Sequence, residues 1–167
     1  MHKKVLSEQV LYYGDVKMPK DWDINPLNLC KQFFDCLYHE KDFHFCIDWD
    51  QLNTYIIKNL RINNDLIIEN KDSWANAYVP NEKTQTLRHV NLMNLADSPD
   101  FVLLYGINTL DCRIKINFDD NKNKGKIWNI DLKQNMFVMF PSTNTYFIEN
   151  NQKNSLNFIQ TITYDQI

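Results

Sequence analysis

The stretch MFVMFPSTNTYFIENNQKNSLNFIQTIT, residues 136–163, contains three short runs that are typical of β-strands. The runs MFVMF, TYFIE and SLNFIQTITY are rich in aromatic and β-branched residues, and turn residues separate them. In the last run apolar and polar residues alternate, so that one face carries Leu156, Phe158, Ile162 and Tyr164. This alternation predicts a strand with one buried face.

Six further runs of the same character precede this stretch, between residues 65 and 132: DLIIEN, SWANAYV, TLRHVNL, FVLLYGI, CRIKINF and KIWNIDL. Turn residues such as Pro80-Asn81 and Ser98-Pro99 separate them, and RIKINFDDNKNKGKIWNIDL predicts a hairpin with its turn around 119–125. Short strands at this spacing favour an antiparallel sandwich or barrel.

The first 64 residues have a different pattern. EQVLYYGDV (8–16) predicts a strand, and Asn25-Pro26 is a favourable helix start. Apolar residues at helical spacing predict one helix over 26–38 and a second over 49–60. We therefore expect a small N-terminal α/β part (1–64) with a strand and two helices, packed in one compact unit on a β-sandwich or jelly roll (65–167).

Composition narrows the function classes. Hydrophobic residues make up 44% of the chain, which is enough for a sizeable core, and the net charge of −3 is spread over charges of both signs. A nucleic-acid or anionic-membrane partner would require a basic excess, so we expect neither. No apolar stretch approaches the roughly 20 residues of a membrane span. The four cysteines are expected to be small core residues in a reducing cytoplasm.

The order of four segments resembles a known family. SWANAYVPNEKTQTLRHVN (73–91), FVLLYGI (101–107), FVMFPS (137–142) and SLNFIQT (155–161) are similar to the double-stranded β-helix of the 2-oxoglutarate/Fe(II) oxygenases, especially the short branch common in marine bacteriophages. The resemblance covers 65–167 and implies a mostly β, jelly-roll fold. The whole chain is also similar to small cyanophage-type proteins, which implies the host cytoplasm during infection and a place in the virion.

The resemblance also implies where a metal would be held. The family uses two histidines and one carboxylate on Fe(II), with a basic residue on the last strand for the cosubstrate. The matching metal positions in this chain are His89, Asn91 and Tyr146. Asparagine has no negative charge, and a phenol has an ordinary pKa of about 10. Where the basic residue belongs, the chain has Asn154, Ser155 and Asn157, with Lys153 just upstream.

Three functional hypotheses follow. The first is a non-catalytic phage jelly-roll protein with a degenerate metal site and no cofactor, acting as a virion component or protein-binding module whose partners are other phage proteins or itself. The second is a 2-oxoglutarate/Fe(II)-dependent hydroxylase with an atypical centre, completed by Asp97 or Asp100. The third is a cupin-like binder of small molecules or sugars whose cavity is still open, unless Tyr146, Phe147 and Tyr105 close it.

Other groupings of reactive residues have simpler interpretations. Cysteines and histidines cluster between residues 30 and 46, but their spacing matches no standard zinc site, so we expect core cysteines: Cys30, Cys36, His39, His44 and Cys46. Asp119 and Asp120, with Asp111, are expected to belong to the hairpin. Tryptophans are expected in a core or an interface rather than a sugar groove: Trp22, Trp49, Trp74 and Trp128.

Overall fold

The chain folds into two antiparallel sheets and two helices. A computed structural model describes residues 9–17, 26–39, 49–119 and 126–167. The helices are α1 (Pro26–Tyr38) and α2 (Trp49–Asn64). The strands in the described residues are β1 (Tyr12–Asp15), β2 (Ile68–Tyr78), β3 (Phe101–Asn108), β4 (Cys112–Asp119), β5 (Lys126–Leu132), β6 (Met136–Pro141), β7 (Thr145–Asn150) and β8 (Asn157–Gln166).

The strand order is that of a double-stranded β-helix. One sheet has the order β1-β6-β3-β8-β2 and the other the order β5-β4-β7, with every pairing antiparallel. After β2, the chain passes repeatedly from one sheet to the other, as a jelly roll does. Isolated bridges from Lys83 to Glu149 and from Leu87 to Tyr146 extend the smaller sheet beyond β7. The predicted mostly β, jelly-roll fold with two N-terminal helices is confirmed.

Two hydrophobic cores hold the layers together. The first lies between the two sheets and includes Leu104, Ile116 and Ile148. The second lies between the larger sheet and α2, whose Leu52, Ile56 and Leu60 recur every four residues and form one apolar face. The first eight residues of β8 are therefore buried on both faces. The prediction of a single buried face is wrong, because α2 covers the face that the smaller sheet does not.

The N-terminal elements largely follow the sequence pattern. Helix α1 spans the predicted residues, whereas α2 continues four residues past its predicted end. It ends where Asp65 adopts a φ of 53° and Leu66 N–H donates to the Leu60 carbonyl at 3.4 Å. Strand β1 is shorter than predicted and joins the edge of the larger sheet through β6. The division into units at residue 64 stays a prediction.

Two predicted strands differ from the structure. The end of DLIIEN and most of SWANAYV belong to the single strand β2, with a register shift between Asn70 and Asp72 that accommodates an extra residue. TLRHVNL is a loop with one bridge at Leu87 rather than a strand. The predicted hairpin is formed by β4 and β5, although residues 120–125 of its turn lie outside the described part. Neither described helix is long and apolar enough to cross a membrane.

Candidate functional site

His89, in the loop after β2, and Tyr146, in β7, form a hydrogen-bonded pair. His89 Nε2 lies 2.7 Å from the Tyr146 hydroxyl oxygen, and the two rings stack with centroids 5.7 Å apart. The backbone brings them together: Leu87 N–H donates to the Tyr146 carbonyl at 2.7 Å, and Tyr146 N–H donates back at 3.1 Å. This bridge fixes the loop two residues before His89, so residues 57 positions apart in the chain come into contact.

Two further aromatic rings surround this pair. Phe140 of β6 meets the Tyr146 ring edge-on with centroids 5.1 Å apart, and Trp74 of β2 lies 5.4 Å from the His89 ring. We refer to Trp74, His89, Phe140 and Tyr146 as the ring cluster. Tyr146 is only 1% exposed, because its side chain points between the sheets. His89 is half-buried and forms the outer layer of the cluster.

Burial keeps both members of the pair uncharged. Desolvation, with a smaller contribution from Tyr78, raises the pKa of Tyr146 far above its usual value, so the phenol remains protonated. Desolvation also lowers the pKa of His89, which favours the neutral imidazole at neutral pH. The bond therefore joins a neutral phenol to a neutral imidazole, through the Tyr146 hydroxyl and His89 Nε2.

Asn91, the remaining predicted metal position, belongs to a surface turn. Its side-chain oxygen accepts a hydrogen bond from Met93 N–H at 3.0 Å, and its own N–H donates to Ser98 Oγ at 2.8 Å. The residue is exposed. In the described residues its side chain makes no contact with the His89–Tyr146 pair, so the structure joins two of the three predicted positions and leaves the third apart.

The neighbouring carboxylates are also engaged elsewhere. Asp97 accepts a hydrogen bond from the Asn94 side-chain amide within the 3₁₀ turn Leu95–Asp97 and its N-cap. Asp100 accepts one from Gln166 N–H at 2.8 Å, which ties the loop to the end of β8. The two carboxylates therefore stabilise the loop in this structure and do not complete a site with His89.

A buried amide pair occupies the start of β8. Asn157 donates to Asn150 Oδ1 at 2.8 Å and to the Leu110 carbonyl at 3.1 Å, and its Oδ1 accepts from Leu110 N–H at 2.8 Å. The Asn150 amide nitrogen donates in turn to the carbonyls of Tyr78, Val79 and Ser155. Sequence reasoning missed this network; its only signal was a polar residue at an inward position of a strand pattern. The hydrogen bonds of Asn150 and Asn157 thus join uncharged amide and backbone groups to one another.

The donor atoms at the predicted metal positions do not fit Fe(II). The family's iron requires two imidazoles and a carboxylate, with open positions for cosubstrate and oxygen. Here the three positions provide one neutral imidazole, one amide in a surface turn and one protonated phenol. In the part of the chain that is described, no three His, Cys, Asp or Glu side chains are grouped so that they could hold a metal ion.

The remaining candidates lie away from the ring cluster. Phe147 is on the outer face of the smaller sheet, 5.1 Å from Lys83 Nζ and 5.6 Å from Lys115 Nζ. Tyr105 is in the helix-side core and donates to Asn135 Oδ1 at 2.8 Å. These two residues therefore do not close the space between the sheets, because strand alternation points them away from it, and of the three residues considered for that role only Tyr146 lies there.

The other sequence groupings are only partly visible. Cys30 and Cys36 are free, half-buried cysteines of α1. His44, Cys46, Asp120 and Trp22 lie outside the described residues, as do the side chains of Trp49 and Asp119. Trp128 stacks at an angle on Tyr13, with centroids 5.5 Å apart.

Comparison with known proteins gives limited similarity. No family model and no curated protein matches the chain. Among solved structures, a prolyl-4-hydroxylase of Pseudomonas putida aligns over 94% of this chain and 71% of its own, with 12% identity and a TM-score of 0.45. CENP-C of Drosophila melanogaster, solved bound to CAL1, aligns over 72% of this chain and 100% of its own, with 10% identity and a TM-score of 0.38. The strand order itself, and not these similarities, defines the fold.

Proposed function

We propose that this chain is a non-catalytic binding protein built on the jelly roll of the 2-oxoglutarate oxygenases, with its former metal position closed by the ring cluster. The hydrogen bond of 2.7 Å between His89 Nε2 and the Tyr146 hydroxyl carries the proposal. His89 Nε2 and the Tyr146 hydroxyl oxygen are the atoms with which these side chains would bind a metal, and here they bond each other. A ferrous ion at this position would have to break that bond and coordinate a phenol that burial keeps protonated.

The start of β8 supports the same proposal. A carboxylate cosubstrate needs a cation in the jelly-roll interior, and arginine suits this role best. At this place the amide of Asn157 is fully bonded to neutral partners. The three arginines of the chain lie elsewhere: Arg61 in the last turn of α2, Arg88 exposed in the loop, and Arg113 paired with Asp131 at 3.0 Å on the outer face.

The loop beside the ring cluster supports a binding role. Leu92, Met93 and Leu95 are 69%, 96% and 66% exposed. Hydrogen bonds within residues 91–98 hold the loop that displays them. Apolar side chains displayed together on an ordered loop are typical of a protein contact surface. As partners we propose other phage proteins or a second copy of this chain, in the host cytoplasm or in the virion.

Anaerobic calorimetry with Fe(II) and 2-oxoglutarate tests the non-catalytic proposal. We expect the native chain to bind neither stoichiometrically. The matched comparison is the double variant Asn91→Asp with Tyr146→His, which restores the family's ligand types and should gain Fe(II) affinity if the position is a former metal site. Tight, stoichiometric binding of both molecules by the native chain would overturn the proposal.

The alternative is a 2-oxoglutarate/Fe(II) hydroxylase with an atypical centre. The observation in its favour is that His89 and Tyr146, two of the predicted positions, do lie in contact. It requires the pair to separate when iron and 2-oxoglutarate are present. It predicts succinate release that His89→Ala abolishes. If the native chain releases no succinate, and His89→Ala and Tyr146→Phe alter only stability, the alternative fails.

Two measurements test the binding role. Mass spectrometry of purified virions would detect the chain as a particle component if it has a structural role. Light scattering of the native chain and of Met93→Asp would show whether the exposed loop mediates self-association, because a charge there should disrupt an apolar contact. A monomeric native chain that is absent from virions, and that associates with no phage protein, would contradict the proposed role.

A further inference from the structure

A groove runs along the edge of the larger sheet, between β1 and α2. Its volume is about 330 Å³, which is within the usual range for binding pockets. One wall is β1, and the other is formed by α2 residues from Tyr55 to Asn64. The aromatic side chains of Tyr12 and Phe137, which pack on the helix-side core, contribute to the lining. This groove is separate from the ring cluster.

Among the described residues, nothing pairs with the outer edge of β1, so its backbone groups there can form hydrogen bonds. In the described residues, β1 pairs with β6 alone. Val16 N–H donates to the Asn135 carbonyl at 2.7 Å on the β6 side. Since backbone groups alternate along an antiparallel pair, Tyr12 and Gly14 also bond towards β6, and the N–H and C=O groups of Tyr13 and Asp15 point outward.

Two hydrogen bonds support this assignment of direction. Ser142 N–H donates to the Asp100 carbonyl at 2.9 Å, so even-numbered residues of β6 bond towards β3 and odd-numbered ones towards β1. Lys17, two residues after Asp15, donates its outward N–H to the Tyr55 hydroxyl across the groove at 3.3 Å. The outward N–H that follows Asp15, that of Lys17, is therefore already bonded to α2.

The α2 wall offers side-chain amides opposite this edge. Asn59 donates one of its two amide hydrogens to the Tyr55 carbonyl at 2.7 Å, and its side-chain oxygen is left as an acceptor. The side chains of Asn63 and Asn64 are exposed and make no hydrogen bond to any described residue. Of the described residues that line the groove, Asp15 alone is charged. The lining therefore complements an uncharged chain of alternating donors and acceptors.

We propose that this groove binds an extended, uncharged peptide segment of a partner protein, which adds a sixth strand to the larger sheet beside β1. Its main-chain groups pair with those of Tyr13 and Asp15, and the asparagines of α2 bond its opposite edge. A side chain of the segment then packs on the Tyr12 and Phe137 rings. Addition of a strand to a free sheet edge is an established mode of peptide recognition. The inference deepens the proposed binding role by naming a partner's chemistry.

The test pans a random heptapeptide display library on the full-length native protein. Tyr13→Pro removes one outward N–H from an edge strand, where proline is tolerated, and leaves the bonds to β6. Tyr13→Val is the matched control, because it loses the same ring but keeps the N–H. We expect enriched peptides that bind the native chain and Tyr13→Val alike and bind Tyr13→Pro at least tenfold more weakly.

Amide hydrogen exchange gives an independent measurement on the same complexes. A bound peptide should slow exchange at Tyr13 and Asp15 at least tenfold and change little at Gly14 and Val16, which already bond to β6. The inference is overturned if no enriched peptide distinguishes the two Tyr13 variants, or if the protected amides are elsewhere. Neither result depends on iron binding, so failure here and failure of the non-catalytic proposal are distinguishable.

Discussion

At the scale of single residues, the Tyr146 hydroxyl is the group on which the site depends most. We predict that Tyr146→Phe lowers the free energy of unfolding by about 1 kcal/mol, because His89 Nε2 loses its partner while the ring packing stays. A double-mutant cycle with His89→Phe, followed by urea denaturation, should give a coupling energy of similar size.

The control for this cycle is Tyr164→Phe combined with His89→Phe. Tyr164 is also buried and donates a comparable hydrogen bond, to Asn53 Oδ1 at 2.8 Å, but in the helix-side core. Its effect should add to that of His89→Phe within about 0.5 kcal/mol, as for independent sites. Additive behaviour in the Tyr146 cycle would show that the pair contributes nothing to stability.

His89 should also make stability depend on pH. Burial lowers its pKa in the folded state below the ordinary value of about 6.5, so the unfolded chain binds more protons. Its contribution is complete above the unfolded pKa and is lost as pH falls from there through the lower folded pKa. We expect the free energy of unfolding to fall between pH 7.5 and 5.5, with a weaker slope in His89→Phe.

His39→Gln is the matched control for the pH series. His39 is exposed in the turn that follows α1, so its replacement removes a histidine and leaves the His89–Tyr146 pair intact. Denaturant titrations at each pH provide the measurement. If the free energy of unfolding has the same slope against pH in the native chain and in His89→Phe, His89 protonates alike in the folded and unfolded states.

Side-chain hydrogen bonds are the feature that the sequence predicted least well. The resemblance located the positions of His89 and Tyr146, but not the hydrogen bond between them, because that bond depends on how the loop meets β7. The Asn150–Asn157 network was likewise invisible, since its partners include backbone groups from three separate segments. Side-chain partners set by tertiary contacts have no local pattern.

At the scale of elements, two glycines give a matched prediction. A Cβ at Gly106 of β3 would overlap the Lys133 carbonyl oxygen and lie 2.8 Å from Thr109 Oγ1. A Cβ at Gly14 of β1 would lie 3.7 Å from the Phe137 ring, an ordinary contact. We predict that Gly106→Ala lowers the free energy of unfolding by about 2 kcal/mol or more, through overpacking, and that Gly14→Ala changes it by less than about 1 kcal/mol.

Thermal or urea denaturation of both glycine variants checks this prediction. The reason for the difference is the turn at 133–135, which crosses close to β3 and donates Asn135 N–H to the Gly106 carbonyl at 2.7 Å. Equal effects of the two substitutions would mean that this close approach is not rigid.

Elements with strong periodicity were predictable, and those shaped by distant contacts were not. Helix α1 and the strands from β3 to β8 follow local patterns of apolar residues and turns. The segment around His89 has strand-like composition but makes only isolated bridges, because residues 91–98 bond among themselves instead. The second buried face of β8 requires α2, which lies about a hundred residues away in the chain.

At the scale of the whole molecule, two cores give the chain its layered form. The sheets pack on each other, and α2 covers the far face of the larger sheet. The jelly-roll fold followed from the resemblance, and the sheet topology confirmed it. The fold alone does not decide the function, because function depends on the site rather than on the fold.

The most direct test of the central claim follows the His89–Tyr146 pair itself by NMR under anaerobic conditions. We would record the His89 imidazole and Tyr146 ring signals while stoichiometric Fe(II) and 2-oxoglutarate are added. The account predicts that both sets of signals keep their positions and widths, because the two side chains remain bonded to each other. Selective paramagnetic broadening or shifting of the His89 and Tyr146 signals would contradict it, since this would place the iron at the pair.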